Sequence, residues 1–133
     1  MSAVFLDTVG VLALLDVRDQ WHASAEQAWE RVLAQGWDFL TTPLVLVECA
    51  NAAARRPYRA AVAELRAALV EAGGVVEPAP EEWEEAWRNY ARGDAASAGV
   101  VDHVSFLVMR RFGLVRAFTN DRHFIAAGME ALF

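Results

Sequence analysis

The chain has 133 residues, 56% hydrophobic and 23% charged, enough for one compact α/β-sized domain with a real core and too apolar for a disordered chain. A formal net charge of −6 speaks against the broad basic face of an ordinary nucleic-acid binder. The lone Cys49 excludes an internal disulfide framework, no segment is long and clean enough to span a bilayer, and "MSAVFLDT" lacks the basic start of a signal peptide, so no membrane partner and a cytoplasmic location are expected.

In chain order, "AVFL" is a short apolar run ending at Asp7, which predicts a buried parallel strand. "GVLALLD" fits a short helix. "WHASAEQAWERVLAQG" carries Trp21, Ala25, Ala28, Trp29, Val32 and Leu33 at helical spacing, with Gly36 as the stop. "WDFLTT" reads as a second strand. Thr42-Pro43 is a helix start, Thr42 capping and Pro43 in the first turn, and the helix runs through "LVLVECANAAARR" to Pro57. "YRAAVAELRAALVEAGG" is a further amphipathic helix and "VVEP" a short third strand. "PEEWEEAWRNYARG" opens with acids and closes with arginines, the order the helix dipole favours. "DHVSFLVMRRFG" is a helix ending at Gly113, "VRAFTN" a fourth strand, "RHFIAAG" a short helix and "MEALF" a last edge strand. Without repeat or linker, residues 1–133 read as a single domain. Alternating strands and helices imply an α/β/α layered fold with a mostly parallel central sheet.

The acids are unevenly placed. Glu77 to Asp94 holds six acids and two arginines, while the rest of the chain carries only −2. All twelve basic residues are Arg, the residue whose planar fork suits phosphate. Four acids sit in apolar surroundings: Asp7 after the first strand, Glu48 within "LVLVECA", Asp102 at the start of "HVSFLVM", and Asp121 after "RAFTN". Sites in parallel sheets form beyond the carboxyl ends of strands, where three of these acids fall. Four close carboxylates do not persist as bare charges: protons or cations must enter, and at least one pKa must rise above the usual ~4. Oxygen ligands without Cys or paired His at zinc spacing select Mg²⁺ or Mn²⁺. Such an ion acidifies its bound water and stabilises a leaving oxygen. The plainer reading is that Asp102 caps a helix, Asp121 makes an Asx turn and Glu48 pairs with Arg55 or Arg56.

The words around these acids resemble the PIN-domain family, in particular the VapC-type toxin ribonucleases of bacterial toxin–antitoxin pairs. "VFLDTVGVLALLD" resembles its opening strand and Asp, "TTPLVLVECANAAARR" its helix with a Glu followed by an Asn, and "VDHVSFLVMRRFGLVRAFTNDRHFIAAGMEAL" its closing half. The resemblance spans nearly the whole chain in the family's order. It implies a FEN-like α/β/α fold and an endoribonuclease dependent on Mg²⁺ or Mn²⁺. It also implies an acidic quartet at Asp7, Glu48, Asp102 and Asp121 that is both catalytic and metal-binding, an RNA substrate, an antitoxin partner and a homodimer. One departure is Gly99, where many members carry a Ser. A changed loop is expected there, with the chemistry kept because all four acids remain.

Around the quartet, Thr8 is placed to support Asp7 or to satisfy loop backbone. Asn51, one turn after Glu48, is placed to orient it or to face solvent. Ser105, one turn after Asp102, and Thr119 and Asn120, before Asp121, are candidates for supporting positions. Arg55 and Arg56 suit the end of their helix and the reach of a phosphate backbone. His123 is expected to pack or hydrogen-bond rather than catalyse, and Cys49 to fill core space. Trp83, Trp87 and Tyr90 form a stripe that reads as core, or as a stacking or partner surface. Two other functions fit the same residues: a catalytically weak module that binds RNA or protein, and a metal-dependent DNA or flap nuclease.

Overall fold

The computed structural model describes residues 2–133. Strand β1 (Ala3–Leu6) is buried at every position, as an apolar run in the middle of a parallel sheet must be. Helix α1 (Thr8–Leu15) follows, two residues earlier than the apolar pattern alone indicates. Helix α2 (His22–Gln35) ends at Gly36 in the left-handed conformation (φ 67°), and β2 (Asp38–Leu40) returns to the sheet. Helix α3 (Pro43–Ala53) begins as expected: the Thr42 side chain accepts the Val45 N–H and Pro43 occupies the first turn. Helix α4 (Arg59–Glu71) comes next.

The expected third strand at "VVEP" does not form. Val75 makes a single parallel bridge to Thr41, held by Thr41 N–H to the Gly74 carbonyl and Val76 N–H to the Thr41 carbonyl, each 2.8 Å. Pro78 and Pro80 remove ladder donors just beyond. Helix α5 (Pro80–Arg92) leads through a one-turn segment, α6 (Asp94–Ser97), to α7 (Val100–Arg111). Ala95, Ala96 and Ser97 all take positive φ (53°, 57° and 61°) in the loop that precedes Gly99. Strand β3 (Arg116–Phe118), α8 (Arg122–Ala126) and the two-residue β4 (Glu130–Ala131) complete the described chain.

The sheet order is β2-β1-β3-β4, and all three pairings are parallel. Helices α1 to α4 pack on one another, as do α5 to α8, giving the α/β/α arrangement. Phe5, Leu6, Val104, Val108, Phe118 and Phe124 are among the fully enclosed side chains of the core. Glu82, within the acidic run, is not a free solvated acid. It accepts from the Ala79 N–H and pairs with Arg111 at 3.0 Å, tying α5 to α7. In the aromatic stripe, Trp83 packs on the core while Trp87 and Tyr90 stand half exposed.

One close approach sets the position of α1. A Cβ built on Gly10 would lie 1.9 Å from the Phe118 carbonyl oxygen, so only glycine lets the first turn of α1 rest on the end of β3. That contact brings Asp7 and Thr8 against the residues that follow β3.

Candidate active site

Asp7 leaves the carboxyl end of β1 and is 2% exposed. Its Oδ2 accepts a hydrogen bond from the Thr119 hydroxyl at 2.8 Å. The same Thr119 oxygen accepts the Asp121 N–H at 3.0 Å, so one buried hydroxyl ties the ends of β1 and β3 together. Asp121 Oδ1 accepts the His123 N–H at 2.9 Å, capping α8, and lies 2.7 Å from His123 Nδ1. The Asx-type cap is therefore present, but in a residue that also faces the cluster. His123 hydrogen-bonds, as the sequence indicated, and in addition belongs to the cluster.

Asp102 lies in the first turn of α7 and does not cap it; Gly99 stands at that position without a side chain. Glu48 is exposed on α3 and pairs with neither Arg55 nor Arg56. It accepts the Thr8 hydroxyl at 2.6 Å. The Thr8 hydroxyl thus supports Glu48, while its backbone N–H favours the Asp7 carboxylate.

Asp7, Thr8, Val9, Glu48, Asn51, Asp102 and Asp121 line one open cleft of about 470 Å³. Other expected neighbours fall elsewhere. Ser105 is buried and donates to the Val101 carbonyl one turn back, 3.0 Å, the usual local bond of a helical Ser, so it does not reach the carboxylates. Asn120 is half-buried beside the cluster and makes no side-chain hydrogen bond among the described residues. Arg55 is exposed beyond the end of α3.

The electrostatics follow from burial and crowding. Desolvation, with the Asp102 and Asp121 charges beside it, pushes the Asp7 carboxyl up to about 7 against the pull of the Thr119 hydrogen bond. Desolvation and the Asp121 charge raise Asp102 to about 6, opposed by His123. Buried Cys49, next to the cluster, rises to about 12 through burial and the Asp7 and Glu48 charges, so it is an inert core thiol.

The donor set fits a divalent ion. One ligand atom each of Asp102, Asp121 and His123 lies within 4.8 Å of the others. Two oxygens facing each other across a hard cation at about 2.1 Å stand about 4.2 Å apart, so these groups are within small adjustments of sharing one ion. His123 joins this group in addition to the hydrogen-bonding role expected of it. Its signal was its place two residues after Asp121, at the start of a helix whose cap already points to the site.

A parallel sheet with carboxylates converging beyond its strand ends defines a carboxylate-cluster α/β domain. Comparison with known proteins gives the family: residues 4–129 match the model of the PIN domain. The chain is 32% identical, over 135 aligned positions covering 94% of both chains, to the 23S rRNA-specific endonuclease VapC20 of Mycobacterium tuberculosis, in strains CDC 1551 / Oshkosh and ATCC 25618 / H37Rv. The crystal structure of Mycobacterium tuberculosis VapC20, described as a sarcin–ricin loop cleaving toxin, superposes with a TM-score of 0.76 and 28% identity, covering 95% of each chain. The chain belongs to the PIN domain family, as a VapC-type nuclease. No helix among the described residues is long and apolar enough to cross a membrane.

Proposed function

We propose that this protein is the toxin of a toxin–antitoxin pair and an endoribonuclease that hydrolyses RNA phosphodiester bonds with Mg²⁺ or Mn²⁺. The observation that carries the reading is the convergence of Asp7, Glu48, Asp102 and Asp121, from four separate elements, on one cleft. Asp102 and Asp121, with His123 beside them, would hold the ion, and Asp7 and Glu48 on the same cleft would complete its acidic surroundings. When bound, a divalent cation supplies an acidified water and offsets charge on the phosphate. The protein's part is placement. Thr119 fixes Asp7 and the Asp121 backbone in one register, Thr8 orients Glu48, and Asn51 at the rim faces the incoming strand. Likeness to a 23S rRNA-specific endonuclease along nearly the whole chain makes a ribosomal RNA stem-loop the first substrate to try.

We further propose that residues 1–133 act as one domain in the cytoplasm, as a homodimer whose activity an antitoxin blocks. Exposed Trp87, Tyr90 and Phe112 supply apolar surface for such contacts.

The test is cleavage of a ribosomal stem-loop RNA and of the matched DNA by the wild type and by Asp7→Asn, with EDTA, Mg²⁺ or Mn²⁺. Cutting of RNA alone, only with metal and only by the wild type, is expected. RNA bound but uncut in every metal would replace the reading with that of a binding module, and cutting of the DNA would replace it with that of a DNA nuclease.

A further inference from the structure

Helix α1 starts at the cleft and runs away from it, packed against α3, whose Glu48 and Asn51 line the cleft. At their far ends the turn after α1 meets the turn after α3. There Leu15, Asp16, Val17, Arg18, Arg56, Pro57 and Tyr58 enclose a second hollow of about 360 Å³. Its lining carries two arginines and one acid on a chain of net charge −6. Arg18 and Arg56 are exposed and, among the described residues, have no carboxylate within 4.0 Å. Arg55 and Arg59 flank it on the same turn. The acid of the hollow, Asp16, already accepts the Arg18 backbone N–H at 2.9 Å. Elsewhere Arg116 pairs with Glu130 and Arg92 with Asp94, whereas Arg31 and Arg110, which line the same two hollows, have no carboxylate partner among the described residues. Against Asp16 and the nearby Asp19, the four arginines leave this corner of an acidic protein positive.

The hollow also offers surfaces a nucleotide uses. The half-buried Tyr58 ring and Val17, 77% exposed, give an apolar face beside the two guanidinium groups. Forked Arg groups match phosphate, and aromatic faces stack bases without regard to sequence.

We propose that this hollow is an RNA subsite holding a phosphate on Arg18 and Arg56 and a base on Tyr58, in the strand that flanks the scissile bond. The proposal rests on the ribonuclease reading above. The reach is right: α1 has eight residues, about 12 Å at 1.5 Å per residue, and a stacked strand rises about 3.4 Å per nucleotide. A strand crossing from the carboxylates to the hollow therefore spans about three to four nucleotides. This subsite sets how the RNA lies across the cleft, and the Arg pair provides attraction that the acidic cleft lacks.

The experiment uses a stem-loop RNA that the wild type cleaves and a two-nucleotide RNA too short to fill both places. Variants are Arg18→Ala/Arg56→Ala, the charge-keeping Arg18→Lys/Arg56→Lys, Tyr58→Ala, and Arg88→Ala as an exposed arginine on α5 outside the hollow. For the stem-loop, the double Ala variant should raise KM about tenfold or more with kcat changed less than twofold, and Tyr58→Ala should raise it less. The Lys pair should retain most of the affinity, and Arg88→Ala should match the wild type. For the short RNA, KM should hold. Binding to the uncut stem-loop in an Asp7→Asn background should lose about one to two counterions from its salt slope when both arginines are removed. An unchanged KM and salt slope, or a loss equal to that of Arg88→Ala, overturns the proposal. So does a double variant that binds RNA normally but releases its antitoxin, which would make the corner a protein-docking surface. Failure of the wild type to bind or cut any RNA sinks the ribonuclease reading instead. Unaltered thermal melting of the Lys pair guards against a folding artefact.

Discussion

The cleft has two unlike walls. The inner wall is Asp7, Thr119 and Asp121. It is built on adjacent strand ends, and the Thr119 hydroxyl serves two partners with no exposure to solvent. The outer wall is Glu48 and Asn51, exposed on α3, with the Thr8 hydroxyl as the one side-chain hydrogen bond to Glu48 among the described residues. The inner wall concentrates charge where it costs most and locks it in place. The outer wall is cheap to hold and free to adjust. A preorganised site that must admit a polymer needs both: fixed ligands deep inside, adaptable ones at the mouth.

Removing the inner carboxylate gives the largest expected effect. Asp7→Asn should lower RNA cleavage by roughly two to three orders of magnitude or more, the scale of losing a preorganised electrostatic group. The metal-free protein should melt at the same temperature or higher, since a crowded, desolvated charge is gone. Single-turnover cleavage and thermal melting in EDTA read the two outcomes. Wild-type cleavage by this variant would erase the distinction between the walls.

Next comes pH in the metal-free protein. Asp7 sits at about 7 in the fold against 3.8 as a free side chain, and Asp102 at about 6. Between those limits the folded state keeps protons that the unfolded chain has released, so stability falls as pH rises from about 4 to about 7. The loss should be on the order of a few kcal/mol. Mg²⁺ at millimolar concentration should restore melting temperature most at neutral pH, where the carboxylates are free to bind it. The Asp7→Asn protein should show a shallower slope, whereas Glu48→Gln should leave it nearly as steep, because the shift originates at the inner wall. Melting curves across this range, with EDTA or Mg²⁺, check both signs.

Gly10→Ala tests the contact that sets the inner wall. Its methyl would collide with the Phe118 backbone, so stability should drop by about 1–3 kcal/mol or more, the usual cost of overpacking. Cleavage should fall with it, as α1 lifts Asp7 from Thr119. Denaturant unfolding measures the first effect and initial rates the second.

The smallest effects come from the two threonines, and they should differ. Thr119→Val strips a buried carboxylate and a half-buried N–H of their partner, costing about 1–3 kcal/mol. Thr8→Val loses a bond at the open wall and should cost less than about 1 kcal/mol, with its effect mainly on rate. Equal losses in urea unfolding would mean that the two walls are held with the same stiffness.

Much of the fold was legible because it depends on local patterns. The apolar run to Asp7, the Thr42-Pro43 start and the Gly36 stop each act within a few residues. So do the alternating strands and helices that bring strand ends, and with them the acids, to one edge. The four carboxylates could be named because a charged residue in an apolar stretch is conspicuous in one dimension. What each side chain touches was decided by packing between distant segments. The Thr8 hydroxyl went to Glu48, forty positions away. Thr119 joined an Asp more than a hundred positions earlier, Ser105 turned back to its own helix, and "VVEP" paired through one residue because Gly74 and two prolines left no ladder to extend. His123 entered the cluster, and the Arg18–Arg56 corner came together from two turns that share no sequence pattern. Periodicity and local propensity fix which residues lie on which element. Hydrogen-bond partners, burial and the resulting pKa shifts depend on distances between elements, which only the tertiary structure sets.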